Sequence, residues 1–370
     1  MEEFFDAPDS LEHLGAKWGP SSRSVTDLLD AAGIVLEQPG GGVGRCVIPR
    51  RDIRFDDPGA GEALSWSANP TGQGFKLRGK EYMNDKKKYP SASPLFDVVQ
   101  VLALKSDAQT LDFGHLLFGG DVGETVHGCP TVYIANLMLP DYSPPNPVWG
   151  KYDKVKGPDG PGQHIVVVAR MTVETRAELE RSNGDATAMA PEVALMANHF
   201  RAETMADAAT GADVDAPPHG AKVRHCTKMV CMVAGGQEEL PWAVRVAIGQ
   251  GNGKPFMVNR TGYFARRTGA GCGSFEIGVN AHNFGPVATN GLRNCHSFFR
   301  SLVLDIGVTL QGASAEELPE RLLFAFRAVK PDLKQVVVHI DELEAEARSS
   351  GGNKGPTARP WLDWEGLQMP

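Results

Sequence analysis

From Trp66 onward the chain is cut into short runs of β-branched and aromatic residues by glycine and proline, and this punctuation limits the possible folds most severely. The 370 residues include 42 glycines and 26 prolines, residue types that end helices and mark turns. Phe75-Lys76-Leu77-Arg78 alternates as a strand does, and residues 95–104 form a longer β-rich run containing Phe96, Val98, Val99 and Val101. Residues 131–139 and 165–173 read the same way, separated by a proline- and glycine-dense loop over 140–162. A helical region follows over about 175–205, where Arg176 and Glu180 have the i,i+4 spacing of an exposed helix face, and 207–220 is again a loop.

Three further β-type runs, 223–233, 255–266 and 274–280, are punctuated by Gly251, Gly253, Gly269, Gly271 and Gly273 and predict an antiparallel meander. Beyond them, Leu292, Cys295, Phe299, Leu302, Ile306 and Leu310 share one face of a long helix predicted over 286–310, with Pro286 in its first turn. A second helix is expected over 315–329 with Ser314 as its cap, then an edge strand over 335–340. The expected fold class is α+β, a single large domain in which an antiparallel sheet curls around a long carboxyl-terminal helix in helix-grip fashion. The expected division is an acidic tail over 1–20, an amino-terminal extension over 21–61, the domain over 62–340 and a loose tail over 341–370. Within the extension, 24–32 reads as a short capped helix. The glycine run 40–44 lacks the spacing and preceding strand of a dinucleotide site.

A hydrophobic content of 42% is ample for a folded core, and a net charge of −8 argues against a dedicated nucleic-acid binder. No apolar run approaches the ~20 residues of a membrane span. The amino terminus carries acids where a signal or transit peptide needs bases, so the expected location is cytoplasmic. Six cysteines are dispersed without a C-x-x-C pair; His225, Cys226 and Cys231 lie close in sequence, but their spacing is poor for zinc, and no metal or cofactor is expected. The histidines show no ligand spacing and no serine sits in a G-x-S-x-G elbow, so no catalytic residue is assigned.

The amino terminus is a separate matter. Glu3-Phe4-Phe5-Asp6-Ala7-Pro8-Asp9 places adjacent aromatics inside acids and proline, which suits neither helix interior nor strand. It resembles the FFAT motif, two phenylalanines in an acidic tract, read at the endoplasmic reticulum surface by the major-sperm-protein domain of VAP proteins; Asp9 stands for the usual glutamate. The resemblance implies a VAP-type partner contacted through Glu3, Phe4, Phe5, Asp6, Ala7 and Asp9. The alternative is a hydrophobic-acidic tail that packs on its own domain or has no role.

Two blocks resemble the enhanced-disease-resistance-two C-terminal domain family. The first is Trp66-Ser67, Pro70, then 75–82 and Asp85-Lys86-Lys87-Lys88; the second is Pro241-Trp242, Gly249, Lys254-Pro255, Tyr263, Phe275-Glu276-Ile277 and Glu317-Leu318-Pro319-Glu320-Arg321. The similarity covers about 62–332, with Asn280 where the family often has aspartate and Phe324 where it often has glycine. In plants this domain is typically attached to pleckstrin-homology and START domains, which implies membrane-lipid work, although the domain itself has no established chemistry. The two resemblances together imply a non-enzymatic lipid-binding or lipid-transfer protein, peripheral to the endoplasmic reticulum and a second membrane at contact sites. The alternatives are a tether without a lipid cavity and an enzyme.

Lys80, Lys86, Lys87 and Lys88 with Arg78 form a dense basic cluster in an acidic chain, suited to an anionic leaflet or simply to a solvated turn. Arg260, Arg266 and Arg267 flank Tyr263-Phe264 and could meet a lipid phosphate or only solubilise a hairpin end. A sheet curled around an apolar helix can enclose a ligand cavity, with Trp242, Tyr263, Phe264, Phe298, Phe299 and Leu302 either lining it or packing an ordinary core.

Overall fold

Alternation of apolar side chains sets most of the backbone, and in the central strands both faces are buried, so they read as nearly unbroken apolar runs. The computed structural model describes residues 46–51, 64–108, 113–114, 124–141, 160–207, 226–258, 262–269, 272–284, 298–335 and 338–342. In chain order, β1 (Ser65–Ala68), β2 (Lys76–Arg78), helix α1 (Tyr82–Asp85) and β3 (Lys88–Pro90) precede the long strand β4 (Phe96–Ser106). The small hairpin β5 (Thr125–Val126) and β6 (Cys129–Pro130) leads to β7 (Val132–Pro140) and β8 (Gly162–Met171). Helices α2 (Val173–Arg181) and α3 (Pro191–Asp207) follow, then β9 (Thr227–Gly235), helix α4 (Trp242–Gly251) and β10 (Phe256–Met257). The series closes with β11 (Gly262–Gly269), β12 (Cys272–Asn280), β13 (Val303–Leu310) and β14 (Leu322–Val329).

These strands make two five-stranded open sheets. The front sheet runs β11-β12-β7-β8-β4 and the back sheet β1-β14-β13-β9-β10. Neighbours are antiparallel except β12 and β7, which are parallel from Ser274 opposite Val132 to Asn280 opposite Met138. The inner faces of the two sheets pack together. At one end Phe96, Tyr133, Phe200, Phe275 and Phe324 interlock with ring centroids 5.0–6.1 Å apart, and α3 closes that end with Val193, Met196, Ala197 and Phe200. Thr172 caps α2 by accepting from the Thr175 amide, and the Thr175 hydroxyl donates to the Leu95 carbonyl, tying helix to sheet. Arg176 and Glu180 pair at 2.8 Å on the exposed face, as their spacing predicts.

At the β1–β4 edge, residues 46–51 join the two sheets. Val47 bridges to Leu102 and Arg50 to Trp66, and the Trp66 indole donates to the Ile48 carbonyl at 3.0 Å. On the outer face of the back sheet the charges are paired: Arg327 holds Asp305 through two hydrogen bonds, at 2.7 and 2.9 Å, and Lys228 meets Glu320 at 2.6 Å. Each of these four side chains is buried, so loss of one partner would strand a charge at a cost of about 3–5 kcal/mol.

The architecture departs from the sequence expectation in three places. The described part of the long helix expected over 286–310 is a 3-10 turn, Phe299–Ser301, followed by strand β13, so among the described residues no helix is gripped by a sheet. The second expected helix, over 315–329, is a 3-10 turn at Ala315–Glu317 followed by β14. The predicted meander is divided: β9 and β10 belong to the back sheet, β11 and β12 to the front. What remains of the expectation is one largely β unit with few helices, and all described residues fall within Glu37–Pro370. The acidic tail over 1–20, most of the extension over 21–61 with its expected helix and glycine run 40–44, most of the 140–162 loop and nearly all of the tail over 341–370 lie outside the described residues.

Candidate functional site: an apolar cavity between the sheets

Away from the aromatic end several inward positions are small, although Phe284, Phe299 and Phe326 also border the space. Ala135, Val167, Val279, Ala281 and Ala328 stand where the other end has rings, and a cavity of about 350 Å³ lies between them. Strand alternation supplies the walls. Ala135, Leu137 and Leu139 of β7 with Ile165 and Val167 of β8 form the front wall. Met229, Cys231 and Val233 of β9, Leu304 and Ile306 of β13, and Phe324, Phe326 and Ala328 of β14 form the back. Ile48 and Trp66 close the β1–β4 edge.

No lining residue carries a charge. The polar ones are Ser65, the Cys231 thiol and Asn252, whose Oδ1 accepts from the Val233 amide at 2.6 Å. Burial among apolar walls pushes the Cys231 thiol up to about 11, with Asp305 adding to the shift. At the opposite edge from Ile48 the wall reaches solvent, because Gly251, Asn252 and Phe256 line the cavity and are also exposed. Such a space can accept a hydrocarbon chain or a compact apolar molecule.

The sequence-named wall residues have diverse positions. Phe299 and Leu302 line the cavity. Phe298 packs beside it on the cluster of Leu240, Leu302 and Leu304. Phe264 belongs to the aromatic end, against Phe275 at 5.8 Å. Trp242 starts α4 with 72% of its surface exposed and points away from the cavity. Tyr263 lies on the far face of the front sheet. The basic cluster sits on the β2–β3 hairpin, where Lys80, Lys86, Lys87 and Lys88 are exposed and Arg78 stacks over Tyr82 at 4.7 Å while facing Glu320 at 3.5 Å. That hairpin packs Phe75 and Leu77 on the outer face of the back sheet, so the sheet's thickness separates it from the cavity. Arg266 and Arg267 lie on β11 opposite Phe275 and Ser274, with side chains outside the described set, as are Arg260 and the whole tail from Glu3 to Asp9.

Two buried polar groupings gave no sequence signal. A hydrogen-bonded ladder crosses the outer face of the front sheet: Ser106 donates to His164 Nε2 at 2.9 Å and His164 Nδ1 donates to Asn136 Oδ1 at 2.9 Å. Asn136 Nδ2 then donates to the Tyr263 hydroxyl at 2.7 Å, and that hydroxyl donates to Glu276. Ser106, His164 and Asn136 have the order of a nucleophile, base and orienter, yet His164 is only 2% exposed and burial lowers it to about 3, far from a working base. At the aromatic end His199 Nδ1 faces Cys226 Sγ at 3.3 Å, and desolvation lowers His199 to about 3. Periodicity could find neither grouping, because the ladder's members come from five strands far apart in sequence and His199 and Cys226 come from α3 and the residue before β9.

Among the described residues no helix is long and apolar enough to cross a membrane, and no cluster of three or more potential metal ligands occurs. No curated protein and no solved structure matches the chain. One family does, that described as Protein ENHANCED DISEASE RESISTANCE 2, C-terminal, over residues 66–332. The match runs from β1, whose Trp66 borders the cavity, to just beyond β14, whose Phe324, Phe326 and Ala328 form its back wall. Covering well over half of the sequence and both sheets, it makes the chain a member of the enhanced-disease-resistance-two C-terminal family.

Proposed function

We propose that this protein binds and transfers a lipid with one hydrocarbon chain, without catalysing a reaction, and that it works at contacts between the endoplasmic reticulum and a second membrane. The observation that carries the reading is the uncharged cavity of about 350 Å³ between two well-packed sheets. Its walls are apolar on every side but the solvent-reaching edge, so a hydrocarbon chain that fills it leaves water at a gain of about 25 cal/mol per Å² buried. The volume lies at the small end of ligand pockets, which favours a single chain over a two-chain phospholipid.

Membership of the family and the FFAT-like tail support the membrane setting, with a VAP-type protein as the partner of residues 3–9. The exposed lysines of the β2–β3 hairpin could add attraction to an anionic leaflet at about 1 kcal/mol each. Native mass spectrometry of the full chain purified from cells tests the reading. Co-purified single-chain lipid at one per protein is expected, and apo protein alone, from a preparation in which a control lipid carrier retains its ligand, would leave the tether without a cavity ligand.

A further inference from the structure

We propose that α4, together with Phe256, is a bilayer-docking gate through which the hydrocarbon chain enters the cavity. This rests on the lipid-binding reading and adds where the protein meets the membrane. The described residues expose five large hydrophobic side chains, and three of them belong to this region: Phe256 at the mouth, 39% exposed, and Trp242 and Val246 on α4, 72% and 43% exposed. Trp242 and Val246 are four residues apart and share the outer face of α4. The inner face, Val244 and Ile248, rests on the Leu240, Leu302 and Leu304 cluster, and Ile248 itself lines the cavity. One short helix thus presents apolar surface in both directions, which a helix in water gains nothing by doing.

The exposed apolar surface is continuous with the cavity lining, since Phe256 belongs to both. A bilayer interface covers such a surface, and tryptophan favours that depth. The nearby charges are balanced: Glu238 and Glu239 precede the helix, while Arg245 lies within it and Lys254 follows it, all exposed. Docking through α4 therefore relies on apolar insertion, apart from any attraction that the β2–β3 lysines add. The helix is also lightly fastened. No side chain caps its start, and a side chain added at Gly249 or Gly251 would meet nothing within 4 Å. Its far end is pinned, because Asn252 holds the Val233 amide and the Gly253 amide donates to the Cys231 carbonyl at 3.0 Å. A helix pinned at its end and loose along its body can tilt off the mouth.

The test uses the full chain and a variant carrying Trp242→Ser and Val246→Ser, neither of which lines the cavity. Three quantities are measured: flotation with phosphatidylcholine vesicles, transfer of a pyrene-labelled fatty acid between vesicles, and binding of the same probe added as a monomer in water. The variant is expected to lose flotation and transfer by about tenfold or more, because its insertion surface is gone, while binding the monomer as wild type does. Undiminished flotation and transfer would overturn the gate and leave lipid binding intact. Loss of monomer binding in the variant alone would make α4 a structural wall, which also overturns the gate. Failure of the wild type to bind monomer would remove the lipid reading and the gate with it.

Discussion

His164 and His199 are neutral side chains carried deep in the fold, and they make its stability depend on pH. Desolvation is the main cause in both cases, with His282 adding to the shift at His164. Each is lowered to about 3, whereas in the unfolded chain a histidine titrates near 6.5. Between those values the unfolded state binds protons that the native state refuses, so stability is full above about pH 6.5 and falls as the pH falls toward 3. At pH 5.5 each histidine should have withdrawn about 1–1.4 kcal/mol, before the carboxylates begin to titrate. Urea midpoints between pH 7.5 and 5.5 check this, and His199→Phe should remove about half of the slope. A flat profile would mean that protonated histidine is accommodated. Phe5 is the residue-scale test of the tail: with one aromatic anchor contributing roughly 1.5–3 kcal/mol, Phe5→Ala should lower affinity for a VAP major-sperm-protein domain by tenfold or more and leave the melting temperature unchanged. Calorimetry on the two purified proteins measures it.

At the scale of elements, β13 shows why part of the fold was hidden in the sequence. Leu302, Ile306 and Leu310 fit a helical face, but Leu302, Leu304, Ile306, Val308 and Leu310 also fit strict alternation. The β-branched Val303, Ile306, Val308 and Thr309 and the helix-weakening Gly307 tip the balance. Gly307 is needed in the strand for another reason: a side chain there would press on the Phe75 ring and Leu322. By contrast β4, β7 and β8 were legible as long β-rich runs, and the α2–α3 region through the Arg176–Glu180 spacing. Helix α4 carries the opposite signal, glycines where a helix wants alanine. Gly249→Ala and Gly251→Ala have open space around the new methyl group and should each stabilise the protein by about 0.5–1 kcal/mol. If α4 must tilt to admit ligand, the pair should also slow probe release in stopped-flow mixing with acceptor vesicles. Stabilisation with unchanged release would show that the helix stays in place during exchange.

Across the whole molecule, the two ends of the sandwich are built differently. Rings from both sheets and from α3 fill one end, while alanines and valines facing each other leave the other hollow. The parallel pairing of β12 with β7 sets Val279 beside Leu137 of the front wall, and it joins segments more than a hundred residues apart, which local patterns do not encode. For the same reason the sequence could point to Phe299 and Leu302 but not to Ala135, Ile165 or Ala328, whose residue types are ordinary in any strand. The cavity as a binding space is the central claim, and filling it is the most direct test. Ala135→Phe places a ring in the space between the sheets at a stability cost of about 1–3 kcal/mol or less. Titration of wild type and variant with a monomeric fluorescent fatty acid, alongside their urea midpoints, should show saturable one-to-one binding in the wild type and its loss in a variant that remains folded. Equal binding by the two folded proteins would place the ligand elsewhere and contradict the cavity.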